Sequence, residues 1–142
     1  MTRQQHILLL GAAGAAAALT LSGCTVVQDT FQVGEREFAY ATAAEAEKSD
    51  EAFRFQGFLP DDATDVRLVA QLDGDQSVMQ WVSPTPFASE HCTEGEVTSE
   101  PDPELDADWL PSSLPADGFL CGSWTVVRSG DTQYAWPERA DS

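Results

Sequence analysis

The side chains suited to chemistry in this sequence are few. His91 lies two residues after Ser89 and beside Cys92. A serine and a histidine two apart on one element do not face each other, and no GxSxG elbow marks a nucleophile. His91 reads as surface, and no catalytic residue can be named. Carboxylates are the abundant group. A glycosidase needs two of them across a cleft, but among 24 acidic residues chance pairs are expected. Asp73-Gly74-Asp75 and the run from Asp102 to Asp108 could offer oxygens to calcium, yet neither has the EF-hand order with glycine at its sixth position. No metal and no other cofactor is expected. Trp81, Trp109, Trp124 and Trp136 could stack on a sugar, although in a small domain most should be core. The residues expected to meet a ligand or partner are Trp109, Asp102, Glu104, Asp106 and Asp108, in the most acidic stretch.

The N-terminus says where those residues are displayed. Arg3 and His6 precede an apolar run from Ile7 to Leu21, rich in alanine and glycine. A basic start, an apolar core and small residues are the parts of a secretory signal, here without a twin-arginine pair. Leu21-Ser22-Gly23-Cys24 closes the run and resembles the lipobox of bacterial lipoproteins. That resemblance implies a signal peptide over 1–23, cleavage before Cys24, and lipidation of Cys24. It also implies an anchor on the extracytoplasmic side of the cell membrane. An uncleaved transmembrane helix is the competing reading, since no charge falls between Ile7 and Val27. Both put the remaining chain outside.

Cleavage leaves 119 residues, enough for one core, and removing Arg3 takes the formal charge from −17 to −18. So acidic a surface repels nucleic acid and anionic lipid head groups, so membrane contact is expected from the lipid rather than from a basic patch. A basic protein or a cell-wall polymer fits better. With Cys24 assigned to lipid, Cys92 and Cys121 remain. An even pair in an oxidising compartment reads as a disulfide.

The elements follow from pattern. Residues 24–34 read as a tether and 35–142 as a single α+β domain. The alanines from Ala39 to Ala46 favour a helix over Glu35 to Lys48, with Phe38 and Tyr40 the features that would suit a strand instead. Phe53 to Gln56 reads as a short strand. Val66 to Val82 reads as a hairpin about Asp73-Gly74 that pairs Leu68 with Met79 and Val66 with Trp81. A short helix over Phe87 to Cys92 precedes an exposed acidic loop, 93–108. A second hairpin turns at Gly130-Asp131, with apolar residues on both sides. The expected fold is a small antiparallel sheet of four or five strands with one or two helices on one face. LPDDATDV, CGSW and YAW resemble segments of uncharacterised bacterial lipoproteins, over half of the mature chain. This implies a small secreted domain and no particular activity. The function expected is a non-catalytic envelope lipoprotein, a binding or accessory module. The alternative is a small hydrolase of wall polymer using an acidic pair.

Overall fold

Alternation of apolar and polar residues decides this fold more than helix propensity does. The computed structural model describes residues 34–55 and 57–139. Seven strands form one antiparallel sheet: β1 (Glu35–Thr42), β2 (Thr64–Gln71), β3 (Ser77–Val82), β4 (Thr93–Glu96), β5 (Asp117–Cys121), β6 (Trp124–Ser129) and β7 (Thr132–Pro137). Their order across the sheet is β1-β2-β3-β7-β6-β5-β4. The only α-helix among the described residues, α1, is four residues long (Ala43–Ala46), and Ala52–Phe55 forms a 3-10 turn. The α+β reading with four or five strands is therefore wrong: the architecture is nearly all β.

The largest correction is at Glu35 to Lys48. Its first eight residues are β1, an edge strand paired along β2, with Phe38 opposite Leu68 and Tyr40 opposite Val66. Two aromatics at a spacing of two reach one face only in a strand. That burial outweighs alanine's preference of a few tenths of a kcal/mol per residue. Helix forms only after Thr42, whose hydroxyl accepts from Glu45 N–H at 3.3 Å while Glu45 reaches back to Ala41 N–H at 2.9 Å. This reciprocal arrangement is close to a capping box. Phe53 to Phe55 belongs to the 3-10 turn and not to a strand, and Gln56 lies outside the described residues. Phe55 is turned inward by the 3-10 turn, held by Arg54 N–H to Glu51 O and Phe58 N–H to Phe55 O. Phe87 to Cys92 is irregular, with Phe87 buried.

Both hairpins form. In the first, Leu68 faces Met79, Val69 faces Val78 and Ala70 faces Ser77. The register slips by one between Thr64 and Arg67, so Asp65 and Val66 together oppose Trp81. Asp65 is the bulged residue, at φ 47°, a backbone region that aspartate tolerates better than most residues. In the second hairpin Ser129 faces Thr132, and Gly130 opens the two-residue loop at φ 63°.

The sheet is buried on both faces. One face carries Val66, Leu68, Ala70, Met79, Trp81, Val126 and Ala135, covered by α1, Phe55, Leu59, Ala63 and Phe87. The other carries Val69, Val78, Val127, Tyr134 and Trp136, covered by Leu105 with Val97, Ala107, Trp109, Leu110 and Leu114. The second hairpin thus has no solvent side across most of its length: Val126 and Val127 point oppositely and are each 1 % exposed. Each such aliphatic burial stabilises the fold by about 1.5–3 kcal/mol relative to exposure.

Candidate functional site

The segment between β4 and β5 is the element that shapes a site. Its acids led to the expectation of a solvated loop. Those acids do face water, but its minority of apolar residues inserts into the second face of the sheet, and the segment forms a lid. Leu105 is buried, and Trp109 lies half-buried with its indole N–H donating to Glu37 Oε1 at 3.1 Å. Asp106 N–H donates to Glu35 Oε2 at 3.1 Å, so β1 holds the lid at two points. Its first residues also differ from the reading: Thr93–Glu96 is β4, paired with β5 through Thr93 opposite Leu120 and Glu96 opposite Asp117. A four-residue edge strand with no apolar side chain larger than glycine carries no strand signal in sequence.

Between the lid and β7 lies a cleft of about 480 Å³. Val97, Leu105, Leu110, Leu114 and Trp136 give it apolar walls, and Pro101, Pro103, Pro111 and Pro115 shape its backbone. Ser99, Ser112, Ser113, Glu100 and Asp102 supply the polar groups around it. Ser99 Oγ organises the inner end: it accepts from Trp136 Nε1 at 3.1 Å and lies 2.9 Å from Thr125 Oγ1. Prolines fix φ and leave carbonyls without a neighbouring amide donor, so such a cleft suits an extended chain that brings its own donors.

Of the residues expected to meet a partner, the structure separates two groups. Asp106 and Asp108 join Glu35, Arg36, Glu37 and Val69 around a shallow depression of about 200 Å³ beside β1. Among the described residues no three His, Cys, Asp or Glu side chains are placed to hold a metal ion. Trp109 anchors the lid beside that depression through its bond to Glu37. Asp102 lines the cleft instead, and its Oδ1 accepts from Glu104 N–H at 2.9 Å. His91 is exposed, and its N–H donates to Ser89 Oγ at 3.3 Å. Sequence reasoning missed Ser99, Thr125 and the proline frame. Four prolines interleaved with Val97, Leu105, Leu110 and Leu114 were the signal available.

Cys92 and Cys121 form a disulfide, S–S 2.03 Å and Cα–Cα 4.2 Å. The expected pairing is therefore present. The bond sits one step past the Thr93–Leu120 pair and joins the start of β4 to the end of β5. It therefore closes the base of the lid. No family model, curated protein or solved structure matches the chain. Cys24, the run before it and residues 25–33 lie outside the described residues.

A second polar cluster lies at the far end of β3. Asp62 Oδ1 accepts from Ser83 Oγ and Asp62 Oδ2 from Thr85 Oγ1, each at 2.6 Å. The Ser83 hydroxyl, then that of Thr85, holds the Asp62 carboxyl below the usual carboxylate range. Gln133 Nε2 donates to Thr85 O at 3.2 Å, which ties this corner to β7. It is a structural clasp, not a reacting centre: every partner is an uncharged hydroxyl, carbonyl or amide.

Proposed function

We propose that this protein is a non-catalytic binding or accessory module of the bacterial envelope. In this reading it is lipidated at Cys24, held on the extracytoplasmic side of the cell membrane, and grips an extended partner in the lid cleft. The observation that carries the reading is the cleft itself, apolar inside with serine hydroxyls and the carboxylates of Glu100 and Asp102 at its edge. A wall polymer or a segment of a basic protein would supply hydroxyl, amide and cationic groups to match. The disulfide accords with export, because such bonds persist in oxidising compartments.

The test is co-sedimentation of the purified chain with isolated cell-wall polymer, beside a pull-down from detergent-solubilised envelope. Leu114→Asp places a charge in the cleft wall and should abolish capture, while Asp131→Ser at the distant turn should retain it. Equal capture by both variants would refute the cleft as the site.

A hydrolase is the second reading. Glu100 and Asp102 both line the same cleft and are the acidic pair such an enzyme would use. Release of reducing ends from wall polymer, lost in Glu100→Gln and Asp102→Asn, would establish it over the first.

A further inference from the structure

Among the described residues only two large apolar side chains are exposed, Phe53 at 64 % and Leu72 at 49 %. They lie at the same end of the sheet. Leu72 N–H donates to the carbonyl of Gly34 at 3.0 Å, at the first described residue. Arg54 Nη2 donates to Gln71 O at 3.0 Å, and its guanidinium lies 5.0 Å from the centroid of the Phe53 ring. Phe53 and Arg54 therefore adjoin the backbone of Gln71, Leu72 and Gly34. They lie at the end of the sheet where β1 begins and the β2–β3 loop turns. Arg139, past the end of β7, borders the same hollow as Phe53 and Arg54. The opposite end, at the Gly130-Asp131 loop, exposes no large apolar side chain.

We propose that the end bearing Phe53 and Leu72 docks on the bilayer that holds the lipid anchor, fixing the domain with the Gly130-Asp131 loop pointing away. The inference rests on the reading of Cys24 as the lipidated residue. Cys24 stands about ten residues before Gly34, and an extended chain of that length reaches at most roughly 35 Å. The end that carries Gly34 is thus kept next to the membrane, and the exposed ring and leucine are at that end. Arg54 is turned inward and paired with Glu51 at 2.7 Å, but an exposed ring and leucine with the exposed Arg139 nearby suit the boundary between head groups and acyl chains. The tether supplies a high effective concentration, so a contact too weak to recruit a free protein suffices to orient a tethered one. Asp73 and Asp75 on the same loop disfavour an anionic surface, so the occupant is a zwitterionic lipid layer.

The test uses the full lipidated chain in phosphatidylcholine vesicles. One sample carries an environment-sensitive dye at Leu72→Cys, and a control carries it at Asp131→Cys. Brominated acyl chains should quench the first label at least about twofold and leave the second unchanged, and Phe53→Ser should relieve the quenching at position 72. Absence of quenching at position 72 overturns the proposal, whether residues 25–33 or a second copy covers that end instead. The mass of the vesicle-bound chain reads the anchor separately. Unmodified Cys24 on a bound chain overturns the anchor while the dye still decides the docking, and a chain that does not float with vesicles overturns both.

Discussion

Two glycines of similar appearance behave differently at the scale of single residues. Asp73-Gly74 suggested a tight turn with Gly74 at positive φ. The register it implied is present, but the loop has four residues, Leu72 to Asp75, closed by Gln71 N–H to Gln76 O at 2.9 Å, and Gly74 lies outside the left-handed region. Gly130, at φ 63°, is the position that needs glycine. A Cβ at Gly74 would press only on the flexible Gln71 amide. Gly130→Ala should therefore cost about 1 kcal/mol and Gly74→Ala under about 0.5 kcal/mol, read as shifts in urea midpoint. Asp62 gives a prediction in pH. Its carboxyl is held below its ordinary range, so its contribution is present above the unfolded value near pH 4 and lost as pH falls through the lower folded value. Melting curves of the parent and of Asp62→Ala should differ most at neutral pH and converge below about pH 4. A gap that stays constant down to pH 2 would show that the two hydroxyls do not favour the charged form.

Pairing alternation was legible at the scale of elements, and context was not. Val66, Leu68 and Ala70, and Met79 and Trp81, recur at a spacing of two on either side of the Asp73-Gly74 turn, so β2 and β3 could be read directly. β1 was obscured because alanine suits both helix and the exposed side of an edge strand. The lid was misread because over 93–108 acids outnumber apolar residues, and composition says nothing about which of them find a surface. Leu105, flanked by Glu104 and Asp106, looks like one residue lost in a solvated run. In the fold it belongs to one buried cluster with Val69, Val78, Val127, Tyr134 and Trp136. The candidate cleft was illegible for the same reason, since it exists only once the lid lies down. Leu105→Asp should detach the lid without unfolding the sheet. Limited proteolysis would then cut within 97–114 in the variant at a rate well above the parent, while the far-UV circular dichroism of the sheet stays native. Resistance equal to the parent would mean that Trp109, Asp106 and the disulfide suffice to hold it.

For the whole chain, the acidic charge and the lipobox-like stretch bear on place more than on activity. Cys24→Ser should yield an unprocessed precursor or a released protein, read by fractionation and mass. A variant that remains membrane-bound at the mature mass would favour a transmembrane anchor. The sheet order has a consequence for how quickly the chain can reach its native state. β3 and β7 are neighbours, with Val82 opposite Thr132, so the centre of the sheet joins residues separated by about 50 positions. Forming that ladder means closing a long loop before its contacts contribute. The Cys92–Cys121 bond is a shortcut across the loop, leaving about 20 residues on the path from Val82 to Thr132. By chain-entropy scaling this lowers the closure cost by about 0.7 kcal/mol, and the bond as a whole stabilises by about 3–4 kcal/mol. Refolding from urea should therefore slow about threefold in the Cys92→Ser, Cys121→Ser double variant, with the larger share of the lost stability appearing as faster unfolding. Stopped-flow fluorescence of the buried tryptophans measures both arms. A refolding rate unchanged by the double substitution would mean that β3 and β7 meet after the rate-limiting step, and that the bridge acts only on the finished fold.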